Sequence, residues 1–267
     1  GMTMGQWGTH FERTETWWRQ SADWLKYQAR CQYLLQDCVA SPDYLRYCGE
    51  EVPESGYAAL SLSERDYRAP VAAKGYRFDL CELGALEKIV RVRKDGSLVS
   101  PGGTRYRFLA LPPRAAMSPR ALATVQRLAA LGANIAGRPP VRAFGLVDAS
   151  ADASVRSRAA AIWEKYPNVR DEDEASAAAR LLGAPDFTAD DPRVRFCHRR
   201  YGDGTDGYFV ACPAATALTV RCSFRTTGRA PELWDAETGE IRRADAWRVR
   251  DGRTEVVLRF RPAGSVF

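Results

Sequence analysis

A strand, a capped helix and a second strand follow one another near the middle of the sequence, and this order constrains the fold more than any other feature. The apolar run Tyr106–Leu111 is typical of a buried parallel strand. Ser118 then offers an N-cap hydroxyl, with a proline behind it, and a second short strand is predicted over Ala133–Gly137. Strand, helix and strand within about thirty residues form a βαβ unit, so we predict a parallel α/β domain.

The pattern changes after the linker at 185–192. Val220, Cys222 and Phe224 alternate with polar residues, which is the period of a half-buried strand. Further strand candidates are separated by turns rich in Gly and Asp. We therefore predict an all-β region, a small β-sandwich over 191–267.

The first predicted element is an amphipathic helix. Trp17, Trp24, Cys31 and Cys38 recur every seven residues, so they form one stripe along its surface. A stripe of tryptophans at helical spacing is more often core than ligand site, and we predict Trp24 to be core.

Together these patterns predict an α/β fold followed by an all-β fold. An arm plus a helix is expected over 1–42. A parallel α/β domain of flavodoxin or amidotransferase type is expected over 43–188, with the β-sandwich after it.

Composition and charge exclude several classes of partner. The 267 residues are 45% hydrophobic and 27% charged, which is ordinary for a globular protein. The net charge of +6 comes from basic residues scattered among acidic ones, so no nucleic-acid partner is predicted. No apolar run reaches the roughly 18 residues of a membrane-spanning helix, so no membrane partner is predicted.

Cysteine and histidine usage argues against a metal site. Seven cysteines include no Cys-x-x-Cys pair, and only two histidines are present. The odd number of cysteines also argues against a fully paired disulfide framework. We predict no metal and no cofactor in this chain, with most cysteines acting as small core residues.

For the other residues that could carry out catalysis or bind ligands, a structural role is favoured over a functional one. Paired carboxylates hydrolyse glycosides, but the run Asp171–Glu174 precedes a helix and is more typical of surface charges that complement its dipole. The loop Gly202–Gly207 lacks the spacing of a calcium loop and is predicted to be a turn. His198 lies in a strand pattern, which favours a structural role.

Three groups of segments resemble, in order, the C-terminal portion of glycoside hydrolase family 106, the α-L-rhamnosidase-like family. The N-terminal group is similar to the segment that closes the family's catalytic (β/α)8 barrel. The others are similar to the α/β domain after the barrel and to the terminal β-domain. The segments are 8–13, 16–18 and 27–36; then 106–112 and 118–132; then 196–200, 207–210, 223–225, 231–235, 238–239 and 264–267.

The resemblance implies a parent enzyme, secreted or periplasmic, that removes terminal α-L-rhamnose from plant glycosides. Its chemistry would be inverting hydrolysis by carboxylates assisted by a divalent metal, calcium. Those carboxylates cannot be placed in this sequence, so no catalytic residue is assigned. The chain is expected to be an inactive accessory region, a fragment whose partners are carbohydrate and the missing barrel.

The resemblance also suggests substrate-binding residues in the N-terminal arm. If Gly8–Trp18 closes a barrel, then His10, Arg13 and Trp17 would face the sugar, because such barrels bind substrate after their strands. The opposing interpretation is a solvated arm. We predict that Trp17 is more exposed than Trp24.

Two other functions stay open. One is a stand-alone carbohydrate-binding or scaffolding module. The other is a small-molecule enzyme that uses the carboxyl ends of the parallel strands. That enzyme would need polar groups after Leu111 and Gly137, where the sequence supplies mainly prolines.

Overall fold

The computed structural model describes residues 12–50, 75–113, 115–145 and 149–267. The chain forms two compact units, residues 40–188 and residues 1–39 with 189–267. The predicted division into 1–42, 43–188 and 191–267 stays a prediction.

Within the described residues a short 3-10 helix, Trp18–Gln20, precedes five α-helices: α1 (Ala22–Gln36), α2 (Leu83–Lys88), α3 (Pro119–Ala130), α4 (Ala149–Lys165) and α5 (Glu174–Leu182). The strands are β1 (Cys38–Ala40), β2 (Tyr44–Tyr47), β3 (Phe78–Cys81), β4 (Arg91–Val92), β5 (Leu98–Val99), β6 (Arg105–Tyr106), β7 (Leu109–Ala110), β8 (Ala116–Met117), β9 (Ile135–Ala136), β10 (Arg142–Ala143), β11 (Val169–Arg170), β12 (Phe187–Ala189), β13 (Arg195–Tyr201), β14 (Asp206–Ala211), β15 (Leu218–Phe224), β16 (Glu232–Trp234), β17 (Ile241–Arg243), β18 (Trp247–Arg250), β19 (Arg253–Phe260) and β20 (Ser265–Val266). None of the helices described could cross a bilayer.

The unit 40–188 contains a parallel five-stranded sheet in the order β11-β9-β7-β2-β3. Leu45, Leu109, Ile135 and Val169 pair across four of its strands and are buried on one face, where α3 and α4 pack. The other face carries a second apolar cluster that includes residues of α5. Burial on both faces explains the apolar strand runs in the sequence.

Helix α3 forms as predicted. The Ser118 hydroxyl accepts a hydrogen bond of 3.1 Å from the N–H of Ala121, and proline occupies the first turn. Leu122, Val125 and Leu128 are buried against the sheet.

The predicted strand Tyr106–Leu111 is wrong as a single element. Its centre, Leu109–Ala110, belongs to the parallel sheet, whereas Tyr106 pairs with Leu98 in a small antiparallel sheet. The Tyr106 backbone pairs in the small sheet, while its hydroxyl donates to Asp79 of β3 at 2.9 Å.

The other unit is mostly strand. One sheet has the order β1-β13-β14-β20, and another pairs β15, β19 and β18 antiparallel. Val220, Cys222 and Phe224 are buried while Arg221 is exposed, which confirms the predicted alternation. The mixed α/β class with parallel and antiparallel sheets is therefore confirmed, and the finer domain types stay predictions.

Helix α1 belongs to this second unit and is less covered than its stripe predicts. Tyr27 contacts Ser265 through their hydroxyls at 2.8 Å, and Arg30 donates to the carbonyls of Ala236 and Glu237 at 3.0 and 2.7 Å. No residue of α1 is fully buried. Trp24 is 48% exposed, so the prediction that it is core is wrong, because these contacts leave its part of the helix open.

Candidate functional site

The unit formed by 1–39 and 189–267 contains a cleft of about 790 Å³, a volume within the range of ligand pockets. Tyr208 and Val210 of β14 contribute to its apolar floor, together with Phe224, Val256 and Leu258 of β15 and β19. These residues come from two different sheets. Their inward-facing positions supply the apolar surface, and loops supply the rim.

Aromatic side chains on the rim are held in place by their own contacts. Trp234 exchanges backbone hydrogen bonds of 2.9 and 3.0 Å with Phe267, and its indole N–H donates to Glu232 at 3.2 Å. The Tyr201 hydroxyl donates to the carbonyl of Leu34 at 2.6 Å. A β-carbon at Gly207 would lie 2.6 Å from the Tyr201 ring, so the ring rests on that glycine.

One carboxylate of the cleft is fixed by a polar network. Asp206 lies 2.9 Å from Nε2 of His198 and accepts from the Thr226 hydroxyl at 2.8 Å and from Arg200 at 3.3 Å. Burial opposes ionisation of Asp206, but the hydrogen bonds from His198 and Thr226 outweigh it and lower its pKa to about 2. Asp206 is therefore ionised at neutral pH.

His198 supports this network from inside the sheet. It is buried and stacks on Tyr208, with ring centroids 4.1 Å apart. Its position facing Asp206 fits the structural role that its strand pattern predicts.

The turn before Asp206 forms the charged part of the rim. Asp203 accepts from the backbone N–H and the hydroxyl of Thr205, both at 2.8 Å, and these bonds lower its pKa. Arg229 donates to the Thr205 hydroxyl and to the carbonyl of Asp203. The prediction that Gly202–Gly207 contains a turn is confirmed.

Of the substrate-binding residues predicted in the arm, the two that the structure describes, Arg13 and Trp17, do not line this cleft. His10 lies outside the described residues. Arg13 is exposed, and Trp17 is half-buried just before the 3-10 helix. The prediction that Trp17 is more exposed than Trp24 is wrong, because the open part of α1 exposes Trp24 instead. The sugar-facing role of these three residues stays a prediction.

The carboxyl ends of the parallel strands are a second candidate site, because open α/β sheets bind ligands there. Glu50, after β2, accepts from the backbone N–H of Ser118 at 2.6 Å and so occupies the N-terminus of α3. Arg120 donates twice to Glu87 nearby. The Tyr47 hydroxyl is buried without a partner among the described residues. Glu50 thus occupies the N-terminus of α3, where a small-molecule enzyme of this fold would bind an anionic ligand.

One residue of the acidic run before α5 is buried rather than at the surface. Glu174 accepts two hydrogen bonds from Arg46, at 2.7 and 2.6 Å, and one from Tyr44 at 2.8 Å. The Arg46 guanidinium also lies 4.0 Å from the centre of the Phe78 ring. The surface interpretation is therefore wrong for Glu174, while Asp173 caps α5 as an acidic residue at a helix start should.

Metal ligands are not gathered in the part of the chain that the structure describes: it contains no group of three or more His, Cys, Asp or Glu side chains able to hold an ion. None of the seven cysteines, all of which lie in the described residues, forms a disulfide.

The sequence did not predict the cleft because its lining comes from α1, six strands and the loops between them. The available signals were local. Gly202–Gly207 reads only as a turn, and Pro231–Asp235 carries no motif apart from its family resemblance.

Comparisons with known proteins agree on one family. The profile of Glyco_hydro_106, described as "alpha-L-rhamnosidase", matches residues 1–248. A protein of Formosa agariphila named "Putative beta-glucuronidase" is 28% identical over 271 aligned residues, which cover all of this chain and 22% of that protein. The rhamnosidase structure from Novosphingobium sp. PP1Y is 29% identical with a TM-score of 0.80, over 97% of this chain and 25% of that one. The chain thus spans about a quarter or less of these two proteins.

Proposed function

Because this chain belongs to the α-L-rhamnosidase family of glycoside hydrolases, we propose that it is the C-terminal accessory region of an α-L-rhamnosidase-like enzyme acting on plant-derived rhamnosides. The observation that carries the proposal is the extent of the match. The family covers residues 1–248, yet the whole chain corresponds to only 25% of a rhamnosidase of similar structure. The remaining length of such an enzyme is where we place the catalytic barrel and its metal.

The proposal includes that this chain does not hydrolyse glycosides by itself. An inverting glycosidase needs two carboxyl groups about 6.5–9.5 Å apart, one of them a general acid with a raised pKa. The pKa of Asp206 moves in the opposite direction, to about 2. Its oxygens are also engaged by His198 and Thr226. These features suit a structural or binding carboxylate better than a proton donor.

An assay of the purified chain with an aryl α-L-rhamnoside tests this proposal. We expect no release of the aryl group above the buffer rate, while a full-length family enzyme turns over under the same conditions. Glu12 is one of the two acidic residues of the arm, the other being Glu15, and it accepts a hydrogen bond from Thr14 at 2.7 Å. Turnover by the purified chain that is lost in the Glu12→Gln variant would show that the arm carries catalysis and that the accessory role is wrong.

The arm is proposed to bind substrate only when the barrel is present. His10, Arg13 and Trp17 remain the proposed sugar-facing residues. The exposed side chain of Arg13 leaves its guanidinium available to a sugar hydroxyl or a carboxylate of that barrel.

A second candidate function is a stand-alone carbohydrate-binding or scaffolding module. The observation that favours it is the cleft, whose aromatic rim and apolar floor lie within one unit. Titration with sugars, followed by tryptophan fluorescence, separates this function from a purely structural accessory role.

We further propose that the finer domain types predicted from the sequence are correct. In chain order the five parallel strands lie as 2-1-3-4-5, an order that supports the flavodoxin-like type. The cleft floor, drawn from two antiparallel sheets, supports the β-sandwich.

A further inference from the structure

We propose that the cleft of the unit formed by 1–39 and 189–267 is a binding site for a neutral glycan. The inference rests on the proposed function for its ligand class, since a sugar-processing family makes carbohydrate the first ligand to consider. The position of the site and its preference for uncharged sugars come from the residues of the cleft itself.

The rim offers aromatic surface that is fixed before any ligand arrives. Trp234 is held by its backbone pairing with Phe267 and by the 3.2 Å bond from its indole N–H to Glu232. Tyr201 is held at its hydroxyl by Leu34 and along its ring by Gly207. Both tryptophan and tyrosine are partly exposed and line the cleft. Rigid aromatic faces suit the C–H face of a pyranose and cost little ordering entropy on binding.

The polar groups of the cleft select against acidic sugars. Its charged lining consists of the carboxylates of Asp203, Asp206 and Glu232 and the guanidinium of Arg229. Arg229 is already engaged by Thr205 and by the carbonyl of Asp203. Carboxylates accept hydrogen bonds from sugar hydroxyls, but they repel the carboxylate of a uronic acid. The excess of negative charge therefore favours a neutral glycan.

The apolar floor adds to this preference. Val210, Val256 and Leu258 are buried beneath the opening and supply no hydrogen-bonding side chain. A sugar with an apolar face or a methyl substituent can bury that part against them, whereas a highly charged ligand would lose its hydration there. The arrangement of a largely apolar pocket with a few convergent polar groups is that of a ligand site.

Isothermal titration calorimetry of the purified chain tests the proposal with two probes. One is a neutral trisaccharide that ends in rhamnose, and the other is the same trisaccharide with a uronic acid in place of that terminal rhamnose. We expect heat of binding with the neutral probe and at least about tenfold weaker binding of the acidic one. The Trp234→Ala variant should bind the neutral probe at least about tenfold more weakly. Trp247→Ala is the matched control, because Trp247 is also partly exposed on a strand of this unit but does not line the cleft.

The outcomes are separable. Absence of binding to the folded wild-type chain, equal loss in both tryptophan variants, or preference for the acidic probe would each overturn the proposal. If Trp234→Ala fails to fold, Trp234→Phe and Glu232→Gln replace it in the test. The Glu232→Gln variant should reduce the difference in affinity between the neutral and the acidic trisaccharide. The titration measures binding and not hydrolysis. If no binding is observed, the glycan site is wrong, but the accessory role is still decided by the rhamnoside assay. If the chain hydrolyses the rhamnoside, the accessory role is wrong, but the binding result is unaffected.

Discussion

At the scale of single residues, the buried pair of Arg46 and Glu174 illustrates how a polar interaction can be necessary without being a source of net stability. Both side chains are almost fully buried and make a bidentate contact, and the Tyr44 hydroxyl donates a third hydrogen bond to the Glu174 carboxylate. Desolvating two charges offsets most of their attraction, but removing one partner leaves the other uncompensated. Sequence alone could not predict the pair, because its members lie 128 positions apart.

Replacing Arg46 with leucine should destabilise the α/β unit by about 3–5 kcal/mol, since the carboxylate of Glu174 would be left buried without its counter-charge. Urea unfolding followed by circular dichroism measures the effect. The control is Arg120→Leu, which breaks the ion pair with Glu87 at the surface and should shift the midpoint little. Equal shifts in the two variants would contradict the assignment of a buried pair.

The carboxylate of Asp206 predicts a specific dependence of stability on pH. Its pKa falls from 3.8 to about 2 on folding. Ionised Asp206 therefore stabilises the fold above about pH 4, and this contribution is lost as the pH falls from 3.8 through about 2. Asp206→Asn should lower stability at pH 7 and flatten the decline in acid. Asp23→Asn, an exposed carboxylate of α1, should keep the wild-type profile; if both variants give the wild-type slope, the network does not hold Asp206 ionised.

At the scale of elements, local signals predicted more than long-range pairing did. The N-cap of α3 and the alternation along β15 were readable because each depends on neighbours in sequence. The split of the run Tyr106–Leu111 between two sheets was not readable, because an apolar run does not say which partner each end will pair with. The cleft could not be predicted for the same reason, because the strands that line it are far apart in the sequence.

The hairpin of β13 and β14 depends on the absence of a side chain at one position. A β-carbon at Gly207 would lie 2.6 Å from the Tyr201 ring, so Gly207→Ala must move that ring. We expect a loss of about 1–3 kcal/mol, as for other overpacked sites, and weaker glycan binding in the same titration. Gly202→Ala is the control, since nothing lies within 4 Å of its added carbon. Thermal unfolding of both variants measures the difference, and matching transitions would show that the ring is free to move.

At the scale of the whole molecule, the sequence was most informative where it resembled a family as an ordered set of segments. That resemblance, on segments between residues 8 and 267, identified the family whose profile matches residues 1–248, although it placed no catalytic group in the chain. The helix α1 is the part that this chain alone explains least. Its stripe predicts a covered surface, whereas Trp24, a member of the stripe, is 48% exposed. If the chain is an accessory region, part of that surface should be covered by the remainder of the parent enzyme.

Acrylamide quenching of tryptophan fluorescence can test that expectation with two proteins, this chain and a longer one that includes the barrel. In each, the contribution of Trp24 is the difference between the parent and its Trp24→Phe variant. Trp24 should be readily quenched in the isolated chain, because nearly half of its surface is exposed. It should be protected in the longer protein, because the proposed accessory role places the remainder of the enzyme over part of α1. Trp247 provides the internal reference, since it is similarly exposed at 42% but lies on the strand β18 and not on α1. Equal quenching of Trp24 in the two proteins would mean that the barrel does not cover this part of α1, and the expectation that the remainder of the enzyme covers it would be wrong.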